Sequence, residues 1–181
     1  MKIHIMGASC AGSTTLGQAL SNQTSAPYFD TDAYFWADSE IPFTLKRDPQ
    51  LRNEMLKQDL AGHQNWILGG SMVNWGGEWL NAFDLVVFLY IPRAIRIQRL
   101  KDRELERYGD RHLTDPVYKI VHQDFMEWAW GYDDNTTKGR TLKVHQDWLE
   151  QVSCPVLEIR GDTTVQERLG LILPKLYLPE I

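Results

Sequence analysis

The sequence has 181 residues and a formal net charge of −5, with 43% hydrophobic and 24% charged residues. This composition fits one globular domain, and the negative charge disfavours a general nucleic-acid binder, which needs a basic surface to neutralise phosphates. No apolar run approaches the roughly 18 residues of a membrane span; two cysteines without zinc or disulfide spacing, and the lack of a signal peptide, indicate a cytoplasmic protein.

Short apolar runs alternate with helical segments along the chain. Strands are predicted at residues 2–6, 28–30, 66–68, 85–91 and 155–159, and helices at 13–22, 51–60, 92–108, 117–130, 142–151 and 165–173. The run LVVFLYI at 85–91 is continuously apolar, as expected of a strand buried on both faces. The alternation predicts an α/β fold, with a parallel, doubly wound sheet between two layers of helices. The polar, turn-rich segment 131–140 is a candidate for a mobile loop.

A glycine-rich turn joins the first predicted strand to the first predicted helix. Its sequence, GASCAGST at residues 7–14, fits the G-x-x-x-x-G pattern of a phosphate-binding loop. Glycines let backbone N–H groups converge on phosphate oxygens, and the helix N-terminus adds the positive end of its dipole. The hydroxyl of Thr14 is a predicted ligand of Mg²⁺. The alternative is a tight turn that is rich in glycine for structural reasons alone. The predicted nucleotide-binding residues of this loop are Gly7, Ala8, Ser9, Cys10, Ala11, Gly12, Ser13, Thr14 and Thr15.

The loop lacks the lysine that normally follows its second glycine, because Ser13 occupies that position. At an effective dielectric of about 20, one cation about 4 Å from an anion contributes on the order of 4 kcal/mol. A working phosphotransferase therefore needs a replacement cation, for which Lys46 and Arg47 are the first candidates. The alternative for both residues is a solvated basic patch.

Seven segments of the chain carry a resemblance to a known group of proteins. They are GASCAGSTTLG (7–17), FDTDAYFW (29–36), PFTLKR (42–47), LGGSMVNWG (68–76), VVFLYIP (86–92), RLKDRE (99–104) and RYGDR (107–111). In these segments the chain resembles the adenylate-kinase-like group of P-loop proteins, which includes shikimate- and gluconate-kinase-like enzymes. More narrowly, it resembles small bacterial members whose loop has a hydroxyl residue in place of the lysine.

The resemblance implies a three-layer P-loop fold, with five parallel strands in the order 2-3-1-4-5. It implies a single domain over residues 1–181, an acceptor-binding insert at about 33–63 and a lid within about 104–140. It also implies ATP as the phosphoryl donor or ligand, together with Mg²⁺.

Two aspartates, Asp30 and Asp32, end the second predicted strand with the D-T-D spacing of shikimate-kinase-like enzymes. The resemblance implies that Asp30 holds Mg²⁺ through water, and that Asp32 orients or deprotonates an acceptor hydroxyl. The alternative is an N-cap of the following helix, for which aspartate is favoured. One aspartate could serve both purposes.

Arginines recur along the predicted helix 92–108. Spacings of three and four residues place Arg96, Arg99 and Arg103 near one face of that helix. The resemblance implies that Arg99 and Arg103 contact the base and phosphates of the nucleotide, a task suited to the planar guanidinium group. Arginines of the lid are the second candidates for the missing cation. The alternative is a solvated face paired with neighbouring carboxylates.

The expected function is transfer of the γ-phosphoryl group of ATP to a small-molecule acceptor, with Asp32, Arg103 and Lys46 as catalytic residues. The expected partners are a nucleotide and the acceptor, without nucleic acid or membrane. Phosphoryl transfer mainly requires positioning and charge neutralisation, which such a site can supply. The alternative, favoured by Ser13, is a nucleotide sensor that binds ATP or GTP without turnover.

Overall fold

The computed structural model describes residues 1–176, except for the side chain of His112; residues 177–181 of the predicted domain lie outside the described residues. Five parallel strands form one sheet in the order β2-β3-β1-β4-β5, which confirms the predicted topology. The strands are β1 (Lys2–Gly7), β2 (Tyr28–Asp30), β3 (Trp66–Gly69), β4 (Leu85–Tyr90) and β5 (Val156–Arg160).

Helices connect the strands and begin where the sequence places capping residues. Asp48 and Asp115 accept hydrogen bonds from the N–H groups of the first helical turn, and a proline follows each of them. The helices are α1 (Ser13–Thr24), α2 (Thr31–Phe35), α3 (Pro49–Ala61), α4 (Arg93–Tyr108), α5 (Arg111–Thr114), α6 (Pro116–Trp130), α7 (Leu142–Leu149) and α8 (Val165–Leu176). Within the described range, no helix is long and apolar enough to cross a membrane.

The sheet has a hydrophobic layer on each face, because successive side chains of a strand point to opposite sides. On one face Ile3 and Ile5 of β1 pack with Leu16 and Leu20 of α1. On the other face Met6 of the same strand packs in a cluster rich in aromatic residues, which includes Trp66, Trp75, Trp79, Phe88 and Trp148. Helices therefore cover both faces, as the alternating pattern predicts.

A third, smaller cluster joins α4 to α6. Ile97 and Leu100 of α4 pack with Ala129 of α6, and Cys10 and Phe125 lie against them. Cys10 belongs to the glycine-rich turn after β1. The helices of the segment for which the resemblance implies a lid therefore contact that turn directly.

Candidate functional site

The turn between β1 and α1, residues 7–15, is called the phosphate loop below. Two of its glycines are required by the backbone itself. A Cβ on Gly7 would lie 2.5 Å from the carbonyl oxygen of Leu89, and Gly12 has a φ of +92°, a conformation that side chains disfavour. The N–H of Ala11 donates to the carbonyl of Ala8 over 3.0 Å and closes the turn.

The loop presents backbone donors without acceptors. Helix α1 makes its first internal hydrogen bond from the N–H of Leu16 to the carbonyl of Gly12, at 3.0 Å. None of the hydrogen bonds found among the described residues uses the N–H groups of residues 12–15. Four adjacent free donors at the positive end of a helix dipole are suited to binding an anion such as a phosphate.

Asp30 lies directly beside the phosphate loop. Its Oδ2 accepts a hydrogen bond from the Thr14 hydroxyl at 3.0 Å and another from the Tyr28 hydroxyl at 2.8 Å. Its Oδ1 accepts from the N–H of Asp32 at 3.0 Å, so Asp30 is also the N-cap of α2. The structure therefore shows the N-cap that the sequence offered as one alternative, and it places the same carboxylate beside the phosphate loop.

The Thr14–Asp30 pair suits Mg²⁺ in its chemistry. Mg²⁺ prefers oxygen ligands, keeps several waters, and commonly takes only one or two protein groups together with phosphate oxygens. Within residues 1–176 there is no cluster of three or more His, Cys, Asp or Glu side chains that could hold a metal without a ligand's help. One hydroxyl and one carboxylate beside a phosphate loop fit a metal that arrives with a nucleotide.

Tyr28 was not singled out by the sequence, yet it supports Asp30. Its ring occupies the space between α1 and β3, where a Cβ on Gly17 would lie 2.2 Å from Cε2 and a Cβ on Gly69 would lie 2.1 Å from Oη. Burial, and then the charge of Asp30, raise the pKa of the Tyr28 hydroxyl, which therefore stays a proton donor to the carboxylate. Two glycines on different elements thus make room for one side chain that holds Asp30.

Asp32 is an exposed residue in the first turn of α2, next to Asp30. The low-dielectric surroundings raise the pKa of its carboxyl, and the positive charge of Arg140 is the largest effect that opposes this rise. The charge of Arg103 acts in the same direction as that of Arg140. A carboxyl with a raised pKa beside the phosphate loop is suited to accepting a proton.

Arg140 lies close enough to Asp30 and Asp32 for their charges to interact. Its guanidinium lies 5.0 Å from the ring of Trp128, and burial lowers its pKa while the charges of Asp32, Tyr132 and Asp30 raise it. The sequence predicts a mobile loop over the segment 131–140. Hydrogen bonds hold that segment to α6 and α7, including Trp128 Nε1 to the carbonyl of Lys138 at 3.0 Å and the N–H of Lys143 to Asn135 Oδ1 at 2.7 Å.

The two candidate arginines of α4 occupy different surroundings. Arg103 is half-buried, its guanidinium lies 5.8 Å from the Phe125 ring, and its charge lowers the pKa values of both Cys10 and Asp32. Its Nη2 lies 3.7 Å from Glu104 Oε1, and its buried Nε has no hydrogen-bond partner among the described residues. Arg99 instead forms an ion pair with Asp162, between β5 and α8.

The cations predicted from the insert do not approach the loop. Lys46 is exposed, and its Nζ lies 6.0 Å from the ring of Phe35. The guanidinium of Arg47 donates to the carbonyls of Tyr34 at 2.9 Å and Trp36 at 2.8 Å, so it closes the C-terminus of α2. Neither residue has a described contact with residues 7–15.

Comparison with known proteins identifies relatives of this chain. No protein-family model matches the chain. The chain is 42% identical over 171 residues to the uncharacterized protein YqaC of Bacillus subtilis (strain 168), with 94% of each chain covered. It is 26% identical over 146 residues to the shikimate kinase of Acinetobacter baylyi, covering 69% of this chain and 81% of that enzyme.

Solved structures identify the fold as that of the P-loop kinases. A shikimate kinase from Bacteroides thetaiotaomicron gives a TM-score of 0.56 at 19% identity, covering 98% of this chain and 99% of that one. The deoxyadenosine kinase from M. mycoides, solved with bound dATP, gives a TM-score of 0.59 at 14% identity, covering 98% and 100%.

Proposed function

This chain belongs to the protein family of Bacillus subtilis YqaC, and we propose that it is a phosphotransferase. It binds ATP with Mg²⁺ at the phosphate loop and transfers the γ-phosphoryl group to a hydroxyl of a small, negatively charged acceptor. The observation that carries the proposal is that two sets of residues lie close together at one edge of the sheet. One set comprises the free N–H groups of the loop and the Thr14–Asp30 pair, and the other comprises Asp32 and Arg140, whose charges interact with each other.

The chain's own residues account for the parts of the reaction. The N–H groups of residues 12–15 hold the phosphates, and Thr14 with Asp30 would hold Mg²⁺, which neutralises phosphate charge when it is bound. Arg140 holds an anionic group of the acceptor and so turns its hydroxyl towards Asp32. Asp32 takes the hydroxyl proton, the acceptor oxygen bonds to the γ-phosphorus, and the bond to the β-phosphate oxygen breaks to release ADP. Arg103 adds positive charge where charge develops on the transferred group.

The comparisons support this proposal at the level of the fold. Two P-loop kinases with unlike acceptors, a shikimate kinase and a deoxyadenosine kinase, have the same architecture as this chain. Because one fold serves different acceptors, the acceptor must be inferred from the site. The combination of a carboxylate base and a guanidinium group favours an acceptor that carries both a hydroxyl and an anionic group.

A nucleotide sensor is the second candidate function, and Ser13 is the observation that favours it. A sensor needs the phosphate loop but has no use for Asp32 and Arg140 beside it. The two functions differ in one measurable respect, because only the phosphotransferase has an acceptor that accelerates ADP release.

An acceptor screen tests the proposal. The protein is incubated with ATP, Mg²⁺ and a panel of hydroxylated carboxylates, nucleosides and nucleoside monophosphates, and ADP formation is compared with the rate without acceptor. We expect at least one anionic acceptor to raise the rate, and Asp32→Asn to abolish the increase while ATP still binds. ATP binding without any acceptor-dependent ADP formation across the panel would favour the sensor.

A further inference from the structure

A buried arginine of α8 lies against the back of the phosphate loop. Arg168 is 3% exposed, its Nη1 donates to the carbonyl of Ala11 at 3.0 Å, and its Nε donates to the hydroxyl of Thr163 at 2.9 Å. A Cβ built on Gly12 would lie 3.0 Å from Nη1. The guanidinium therefore touches the Ala11–Gly12 peptide of the loop itself.

The positive charge of Arg168 has only neutral hydrogen-bond partners. No carboxylate in the described part of the chain forms an ion pair with it, and Asp162 pairs with Arg99 instead. Burial and the charge of Arg99 lower the pKa of Arg168, while the charge of Asp162 raises it. A buried charge without an ionic partner is costly, and an anion bound nearby would reduce that cost.

The hydrogen bond to Ala11 also orients a donor of the loop. The peptide between Ala11 and Gly12 is trans, since the described residues contain no cis bond. In a trans peptide the C=O and N–H groups point in opposite directions. With the carbonyl held by Arg168, the N–H of Gly12 points away from α8, and it has no acceptor among the described residues.

We propose that Arg168 takes the place of the absent loop lysine: it is a positioning residue that holds the loop open to phosphate and supplies positive charge behind it. This inference rests on the proposed binding of ATP at the same loop. It differs from the sequence-based expectation, which assigns the replacement first to Lys46 or Arg47 and second to the arginines of the lid. Ser13 leaves the loop without its own cation, and the cation that contacts the loop backbone comes from the last described helix.

Calorimetric titration with ATP, ADP, AMP and adenosine in the presence of Mg²⁺ tests the proposal. Arg168→Gln should weaken ATP binding about tenfold or more, because a charged hydrogen-bonding group is lost. It should leave adenosine binding within about twofold of the parent, because adenosine carries no phosphate. Introducing Ser13→Lys into the Arg168→Gln protein should restore most of the lost ATP affinity. Arg160→Gln is the matched control, since Arg160 is exposed on β5 and pairs with Glu158, and it should change none of these values.

The possible outcomes distinguish the proposed binding of ATP from the proposed role of Arg168. Absence of ATP binding to the parent protein would overturn the proposed function. ATP binding that Arg168→Gln leaves unchanged, or weakens by the same factor as adenosine binding, would overturn the role of Arg168 alone. Failure of Ser13→Lys to restore ATP affinity would likewise contradict the replacement. If circular dichroism shows that the Gln variant does not fold, Arg168→Lys is titrated instead. It should keep the preference for ATP over adenosine, and loss of that preference would refute the proposal.

Discussion

Gly17→Ala should destabilise this protein, although alanine normally stabilises a helix relative to glycine. Gly17 is a buried residue of α1, and an ideal Cβ there would lie 2.2 Å from Cε2 of Tyr28. Overpacking of a core costs about 1–3 kcal/mol, and a separation of 2.2 Å, far below van der Waals contact, places this variant in the upper part of that range, at about 2–3 kcal/mol. The helix propensity of alanine returns about 1 kcal/mol. We therefore expect the free energy of unfolding to fall by about 1–2 kcal/mol. The displaced Tyr28 hydroxyl should also release Asp30 and weaken binding of ATP with Mg²⁺.

Gly170→Ala is the matched control, because Gly170 lies inside α8, is exposed, and would place its Cβ more than 4 Å from any group outside its own helix backbone. This variant should gain about 0.5–1 kcal/mol, since only helix propensity and chain entropy change. Urea denaturation followed by circular dichroism measures both variants. If Gly17→Ala stabilises the protein as Gly170→Ala does, the Tyr28 ring does not fill the space beside α1, and the reasoning about Asp30 fails with it. Tyr28→Leu should relieve the clash and reduce the cost of alanine at position 17.

Three further predictions concern the side chains of Tyr28, Asp32 and His145. Tyr28→Phe removes one hydrogen bond to Asp30 and should weaken ATP binding in the presence of Mg²⁺ by about two- to tenfold, with adenosine binding unchanged. If calorimetry gives the variant and the parent the same affinity for ATP, the hydroxyl does not support Asp30. Asp32→Asn should lower acceptor-dependent turnover by about 10²- to 10⁴-fold. It should also remove the acidic limb of the pH profile, which in the parent lies above the usual range of aspartate because the pKa of Asp32 is raised in the folded protein. A variant that keeps both the turnover and the acidic limb would exclude Asp32 as the base. Burial lowers the pKa of His145 to about 3 from its ordinary value of 6.5, so the unfolded state binds the extra proton between these values and stability should fall as pH decreases from about 6.5 towards 3. Burial also lowers the pKa of His4, to about 4, so His4 contributes to the same dependence. In urea unfolding between pH 4 and 7, His145→Asn should reduce the slope without removing it, whereas the exposed His63→Asn should leave the slope unchanged. A His145→Asn protein with the slope of the parent would show that His145 is not buried in its neutral form.

The fold follows from patterns that are local in the sequence. Continuous apolar runs such as the one in β4 indicate buried parallel strands, and Asp48-Pro49 and Asp115-Pro116 mark the starts of α3 and α6. The phosphate loop and the D-T-D aspartates are equally local, so the sequence alone is enough to predict that Thr14 and Asp30 lie together. Their contact exists because parallel strands bring the ends of β1 and β2 to the same edge of the sheet.

Other parts of the site depend on contacts between distant segments. Arg140 lies in a segment whose composition indicates a loop, and nothing in its immediate sequence connects it to Asp32. Tyr28 supports Asp30 only because Gly17 and Gly69, on two other elements, leave space for its ring. Arg168 reaches Ala11 across the packing of α8 on α1, which no spacing rule encodes.

The replacement for the loop lysine shows most clearly what the sequence alone does not determine. Lys46 is a candidate on sequence grounds because it lies close to Arg47 and Arg52 in the predicted insert, but a charge can replace the loop lysine only where its side chain reaches the loop. In the structure Lys46 lies against Phe35, and Arg47 is held by two carbonyls of α2. The sequence is enough to argue that another cation must replace the loop lysine, whereas the identity of that residue depends on the tertiary structure.

The central claim is that residues 7–15 bind the phosphates of ATP, and calorimetric titration of the parent protein and of Gly12→Val with ATP and Mg²⁺ tests it most directly. Valine at φ +92° is strained and would place its side chain against Arg168, at the peptide whose N–H is to meet the phosphate. The account predicts saturable binding by the parent, with thermal stability raised by about 2.7 kcal/mol at a hundredfold excess over Kd, and no binding by a folded Gly12→Val protein. No binding to the parent at millimolar ATP, or equal binding to both proteins, would contradict it.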